Sequence, residues 1–172
     1  VTSQLKVLFS QDEIRQAIIR IASEIKRDYS DKQPVLISIL KGSFIFLADL
    51  VRQLNMPVQV EFIRLSSYGS RTESSGVVTI MHGLKTAIKG KDIIIVEDIV
   101  DTGLTMSAVI DYMKKKKPAS IKICALTDKP SRRRVPLVVD YVGFTVPDKF
   151  LVGYGLDWNE QYRYLNDICF LE

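Results

Sequence analysis

"IIIVEDIVDTGLT", residues 93–105, sets a continuous apolar run in front of Glu97 and Asp98, adds a third carboxylate at Asp101, and then turns through Thr102, Gly103, Leu104 and Thr105. The aliphatic, β-branched run predicts a strand over 93–97 that is buried on both faces, as parallel sheets require. Carboxylates this close repel one another unless something positive or hydroxylated lies between them. Gly103 gives the turn its freedom of φ, and a helix is predicted from there through Lys117. The backbone N–H groups at such a helix start are unpaired, so with the Thr102 and Thr105 hydroxyls they form a natural phosphate cradle. The stretch is neither GxxxxGK[ST] nor GxGxxG, which excludes an ATP-type phosphate loop and a dinucleotide fingerprint. A carboxylate pair followed by a phosphate cradle suits a sugar phosphate, its hydroxyls on the acids and its phosphate in the loop. Helix capping explains Asp101 or Thr102 equally well when each is taken singly; it does not explain all thirteen residues together.

Outward from this stretch the chain alternates strands and helices. Ser10 with Glu13 reads as a capping box and Phe9 with Ile14 as a hydrophobic staple. Ile14, Ala17, Ile18, Ile21 and Ile25 then recur at helical spacing to about Tyr29. Strands are predicted at 35–40, 58–65, 77–82 and 120–129, a helix at 41–54, and one or two short strands within 138–158. Polar, glycine-containing sequence fills 66–76. This order predicts an α/β fold with a mainly parallel sheet flanked by helices. Ligands in such sheets bind off the carboxyl ends of the strands, and Lys41-Gly42, Glu97-Asp98 and Asp128-Lys129 all fall at such ends.

The 172 residues suit one domain, or one with a small lobe; 47% are hydrophobic and 26% charged, an ordinary balance for a chain with a real core. No run approaches the ~18 apolar residues of a membrane span. The opening "VTSQLKVLFSQDE" lacks the pattern of a secretory leader. Cys124 and Cys169 have no ligand-like spacing and His82 stands alone, so a zinc set is not expected. These features predict a cytoplasmic protein without a membrane partner. The net charge of +4 suits an anionic small substrate and leaves RNA open. Lys114–Lys117 and Arg132–Arg134 read as a solvated helix end and a solvated loop, with no interleaved aromatics for base stacking.

"VEDIVDTGLT" resembles the 5-phosphoribosyl-1-pyrophosphate (PRPP) motif of the type I phosphoribosyltransferases. The pieces "LKG" at 40–42, "SSYG" at 66–69, Asp128-Lys129 and "PDKFLVGYGLDWNEQYR" at 147–163 resemble, in the right order, the signatures of the hypoxanthine/guanine branch. They span nearly the whole chain. The resemblance implies a single phosphoribosyltransferase domain over 1–172, its core at about 34–145 and a hood lobe from part of the N-terminus and about 146–172. By the same resemblance Glu97 and Asp98 hold the ribose hydroxyls, directly or through Mg²⁺, while Asp101, Thr102, Gly103, Leu104 and Thr105 wrap the 5′-phosphate. Lys41 and Gly42 resemble the pyrophosphate loop, with a non-proline cis peptide between Leu40 and Lys41; an ordinary helix start is the plain alternative. Ser67, Tyr68 and Gly69 resemble the start of a mobile lid, and a surface hairpin would look the same. Lys129 would donate to the purine O6, Phe150 would stack on the ring or sit in the core, and Leu151 and Asp157 would offer backbone groups to the opposite edge. The Asp157 carboxylate resembles a second magnesium-linked acid, Arg163 the arginine that meets pyrophosphate, and Asp101 the group that handles the proton at N7. Trp158 takes a position commonly aromatic in the family. Leu104 departs from relatives that carry a lysine there, and the compact length is more like bacterial or trypanosomatid members. The implied activity makes IMP or GMP from PRPP with hypoxanthine or guanine, in a homodimer or homotetramer, without stable nucleic-acid binding. An RNA-binding regulator built on the same PRPP loop, and a xanthine/guanine-preferring relative, are the rival readings.

Overall fold

The computed structural model of the chain describes residues 4–67 and 78–172. The elements run β1 (Leu5–Phe9), α1 (Gln11–Asp28), β2 (Val35–Leu40), α2 (Phe44–Leu54), β3 (Gln59–Ser67), β4 (Val78–His82), β5 (Asp92–Val100), α3 (Leu104–Lys114), β6 (Ser120–Asp128), a 3₁₀ turn (Pro130–Arg132), β7 (Tyr141–Thr145), β8 (Leu151–Val152) and β9 (Ile168–Leu171). Six strands form one sheet in the order β4-β3-β2-β5-β6-β7. Every neighbouring pair is parallel except β3 with β4. This is the mainly parallel α/β architecture expected from the order of strands and helices. β5 lies near the middle, which is why Ile93, Ile94, Ile95 and Val96 are all fully buried.

The helices cover both faces. α1 begins as its sequence dictates: Ser10 and Glu13 form a complete capping box, and Ile14, Ala17, Ile18, Ile21, Ala22 and Ile25 are buried. Each fully buried isoleucine contributes roughly 1.5–3 kcal/mol of transfer free energy. That face packs with α2 and with Leu36, Ile94 and Val96 of the sheet. Phe9 stacks on Phe144, with ring centroids 3.8 Å apart. On the other face Met106, Val109 and Met113 of α3 meet Ile37, Ile39, Ile93 and Ile95.

Several boundaries differ from the sequence-based expectation. β5 runs on through Val100, because its register with β6 continues to Val100 opposite Asp128; Glu97 and Asp98 therefore lie within the strand and do not end it. β3 extends to Ser67, since Ser66 and Ser67 pair with Thr79 and Val78. α3 stops at Lys114 and Lys117 turns left-handed (φ 55°), so the last lysines lie past the helix. β1 and β9 were not expected as strands; they pair antiparallel and join β8 in a separate three-stranded sheet. Among the described residues no helix is long and apolar enough to cross a membrane.

Candidate active site

The carboxyl ends of β2, β5 and β6 open into two adjoining cavities that share Leu65, Asp98, Ile99 and Asp101. One, of about 330 Å³, is lined by Glu97, Asp98, Asp101, Thr102, Gly103 and Thr105. The other, of about 510 Å³, is lined by Lys41, Gly42, Asp98, Asp101, Lys129, Phe150, Leu151, Asp157 and Arg163. Residues separated by more than a hundred positions in sequence thus face one space. Leu104 lines neither cavity; its N–H lies 3.4 Å from Thr102 Oγ1. Ser67 closes β3, and Tyr68 and Gly69 lie outside the described residues.

The turn at 101–105 is held from behind. Gly103 adopts φ 83° and offers the helix no side-chain cap, leaving first-turn N–H groups for a ligand. An added Cβ would meet Val135 Cγ2 at 3.0 Å, so both the left-handed backbone and the close packing require glycine. Arg134 N–H donates to Thr102 O at 2.9 Å, bracing the turn against the segment that follows β6.

Glu97 is half-buried and Asp98 buried. Burial, and then the neighbouring Asp98 charge, push the Glu97 carboxyl well above the usual carboxylate range. Asp98 Oδ1 accepts from the Ile99 N–H at 2.9 Å, and Thr127 Oγ1 donates to the Asp98 carbonyl at 2.8 Å. Among the described residues neither acid pairs with a protein cation.

Gly42 belongs to this pair's surroundings. A Cβ on Gly42 would lie 1.7 Å from Asp98 Oδ2, so the glycine makes room for a carboxylate between the β2 and β5 loops. The Leu40–Lys41 peptide is cis. Gly155 (φ 97°) in turn leaves room for Gly42 O, which a Cβ would approach to 2.3 Å. Gly155 was not singled out from sequence; two glycines two apart in "VGYG" were the available signal.

Lys129 follows the last residue of β6, and its N–H donates to Val100 O at 2.9 Å. Only 6% of it is exposed, which removes the alternative of a surface lysine. Nζ donates to Lys149 O at 2.5 Å and lies 4.0 Å from Asp148. Burial lowers its pKa from the ordinary lysine value, against the opposing charges of Asp101 and Asp148. Phe150 is 53% exposed, so of its two sequence readings, core and platform, the core is excluded. Leu151 is buried in β8. Trp158 borders a neighbouring hollow with Phe150 and Asp157.

Arg163 Nη1 donates to Gly155 O at 2.7 Å, and Nη2 lies 2.8 Å from Asp157 Oδ1 and 3.5 Å from Glu160 Oε2. Lys41 Nζ donates to Glu160 Oε1 at 2.9 Å, and this bond is the main reason the Glu160 carboxyl sits below its usual range.

Arg132 and Arg134 are exposed, as expected of a solvated loop, and Arg133 departs from that expectation. Arg132 Nε lies 2.9 Å from Asp101 Oδ1 and Nη1 3.3 Å from Asp148 Oδ1, while Arg133 pairs with Asp128 and is largely buried. Arg132 thus meets acids of two other loops, and Arg133 the last residue of β6. The Arg132 pairing was invisible in sequence because its partners, Asp101 and Asp148, lie on those other loops.

A fold and site of this kind define a class. The family model for the phosphoribosyl transferase domain matches residues 6–159. The hypoxanthine-guanine phosphoribosyltransferase of Aquifex aeolicus is 48% identical over 98% of this chain and 96% of its own. That of Bacillus subtilis is 45% identical over 93% and 89%. A hypoxanthine-guanine phosphoribosyltransferase structure from Bacillus anthracis superposes with a TM-score of 0.94 at 42% identity, covering 98% of this chain and all (100%) of that one. The hypoxanthine phosphoribosyltransferase of Trypanosoma cruzi, solved as a ternary substrates complex, gives a TM-score of 0.91 at 44% identity over 97% and 95%. The chain belongs to the hypoxanthine-guanine phosphoribosyltransferase family.

Proposed function

We infer that this chain transfers the 5-phosphoribosyl group from PRPP to hypoxanthine or guanine, giving IMP or GMP and pyrophosphate. The observation that carries the reading is a buried cationic donor, Lys129, opening into the same cavity as Asp101 and the Lys41–Arg163 pair. A 6-oxo group accepts from Lys129, whereas the 6-amino group of adenine is itself a donor and leaves the lysine unpaired. Phe150 offers its open face to the ring, and backbone groups at Leu151 and Asp157 meet the far edge.

The bond from N9 to C1 of the ribose forms as the bond to pyrophosphate oxygen breaks, and the proton at N7 passes to or toward Asp101. No covalent nucleophile is needed; the transition state is oxocarbenium-like, and the chain aligns the partners across the two adjoining cavities. The turn 101–105 holds the 5′-phosphate, Glu97 and Asp98 accept from the ribose hydroxyls, and Lys41, Gly42 and Arg163 receive the departing charge.

Among the described residues there is no cluster of three or more side chains able to cage a metal. A few hard carboxylate oxygens beside a phosphate site suit Mg²⁺, which keeps several waters and binds largely through substrate phosphates. Glu97 and Asp98 would meet such an ion beside the ribose and Asp157 one beside the pyrophosphate, without the three forming one cage, and the ion would neutralise charge building on the pyrophosphate. Product formation is expected to stop with EDTA and return with added magnesium; equal turnover without a divalent ion would contradict this part of the reading.

Gly42→Ala gives a second test. The added methyl has to displace the Asp98 carboxylate, and overpacking of this kind costs ~1–3 kcal/mol. The KM for PRPP is expected to rise about ten- to a hundredfold with the base KM nearly unchanged, as read by initial rates. The reading also treats 1–172 as one domain, the six-stranded core at about 34–145 capped by a hood from part of the N-terminus and 146–172; the separate β1-β9-β8 sheet supports that division. Exposed Val60 and Phe62 on β3 support self-association as a homodimer or homotetramer, and two buried unpaired cysteines support a reducing, cytoplasmic setting.

A further inference from the structure

The two cations assigned to pyrophosphate both pair with an acid of the chain itself. Glu160 places one carboxylate oxygen 2.9 Å from Lys41 Nζ and the other 3.5 Å from Arg163 Nη2. One anion bridging two cations through separate oxygens is the arrangement a diphosphate would take up between the same groups under the proposed function. Glu160 is 65% exposed on its side chain and Lys41 50%. Ion pairs in such solvent are weak and easily displaced. The mimic is therefore competitive and not a permanent block.

The backbone shows that this placement is built. Trp158 and Gln161 exchange both backbone hydrogen bonds, N–H to O at 3.2 and 3.0 Å. The two residues between them, Asn159 and Glu160, have φ of 52° and 63°. A two-residue hairpin with both central residues left-handed favours Asn followed by Gly. The chain has the Asn and, where glycine fits best, a glutamate. Its N–H donates to Asp157 Oδ2 at 2.8 Å, which holds the carboxylate toward Lys41 and Arg163. A position that disfavours a Cβ is thus given to the side chain that, among the described residues, joins the two cations.

We propose that Glu160 is an affinity-determining residue that competes with the diphosphate of PRPP, and with product pyrophosphate, for Lys41 and Arg163. It weakens substrate binding somewhat and, by reclaiming the cations, helps pyrophosphate leave. This rests on the assignment of Lys41 and Arg163 under the proposed function.

The test compares initial-rate KM for PRPP and the product-inhibition constant of inorganic pyrophosphate in the unaltered protein, Glu160→Gly, Glu160→Gln and Lys41→Ala. Glu160→Gly suits the left-handed backbone, so folding is not at risk, while Glu160→Gln keeps the size and removes the charge. Both Glu160 variants are expected to lower the PRPP KM and tighten pyrophosphate inhibition by about three- to tenfold, the scale of two exposed ion pairs, with the hypoxanthine KM unmoved. In a Lys41→Ala background the gain from Glu160→Gly should shrink. A strut that merely orients Lys41 would give the opposite sign, so a raised or unchanged PRPP KM in both Glu160 variants, with Lys41→Ala still raising it, overturns the proposal alone. If Lys41→Ala moves neither constant, the assignment of the cations falls and the proposal falls with it.

Discussion

Asp101→Asn is expected to slow the chemical step by about 10²–10⁴-fold while leaving PRPP binding in place. Asp101 lies in both cavities at once, on the turn that follows β5 and across from the base wall. Arg132 Nε sits 2.9 Å from Oδ1, so the carboxylate has a cationic neighbour on one oxygen. Asparagine preserves size and one acceptor oxygen but removes the charge, and so separates proton handling from loop shape. Single-turnover rates with saturating PRPP, measured with hypoxanthine and with guanine, isolate the step. An unchanged rate would reduce Asp101 to a residue that shapes the turn.

Lys129→Ala comes next in size. Loss of a hydrogen bond from a charged donor costs about 1.5–3 kcal/mol, roughly ten- to more than a hundredfold in kcat/KM. The loss should fall on hypoxanthine and guanine together, because both carry O6, and PRPP affinity should stay nearly constant by calorimetry. Discrimination against adenine should weaken, since the mismatch disappears with the donor. Burial shifts the lysine pKa downward, so the charged donor is lost at a lower pH than in a free lysine. The unaltered protein should therefore show an alkaline fall in kcat/KM for 6-oxopurines that Lys129→Ala lacks. A small, uniform effect on all bases would take the purine assignment down.

What sequence could reveal follows from the range of the interactions. The capping box at Ser10 and the spacing from Ile14 to Ile25 are local, and both appear as read. The 93–105 stretch carried its meaning because strand, acids and phosphate turn are contiguous. β1 and β9 escaped notice because Leu5–Phe9 is partly exposed and becomes a strand only against a partner more than 150 residues away. Charge pairs between loops were equally hidden: nothing near Arg132 announces Asp101, and nothing near Glu160 announces Lys41. Gly42 was noticed through its resemblance to the pyrophosphate loop, while its packing reason, the Asp98 carboxylate that a Cβ would strike, needed the β2–β5 register. The burial of Lys129 could not be read either, since "TDKPSRRR" looks like surface on composition alone.

The most direct test of the account is one steady-state comparison of hypoxanthine, guanine, xanthine and adenine as acceptors, with PRPP and magnesium at fixed saturation. If Lys129 reads O6 as proposed, kcat/KM should be high for hypoxanthine and guanine and at least tenfold less for adenine. Xanthine in the panel separates this branch from a xanthine/guanine-preferring relative. Robust turnover of adenine alone, or of none of the four, would contradict the assignment of Lys129 and of the site around it.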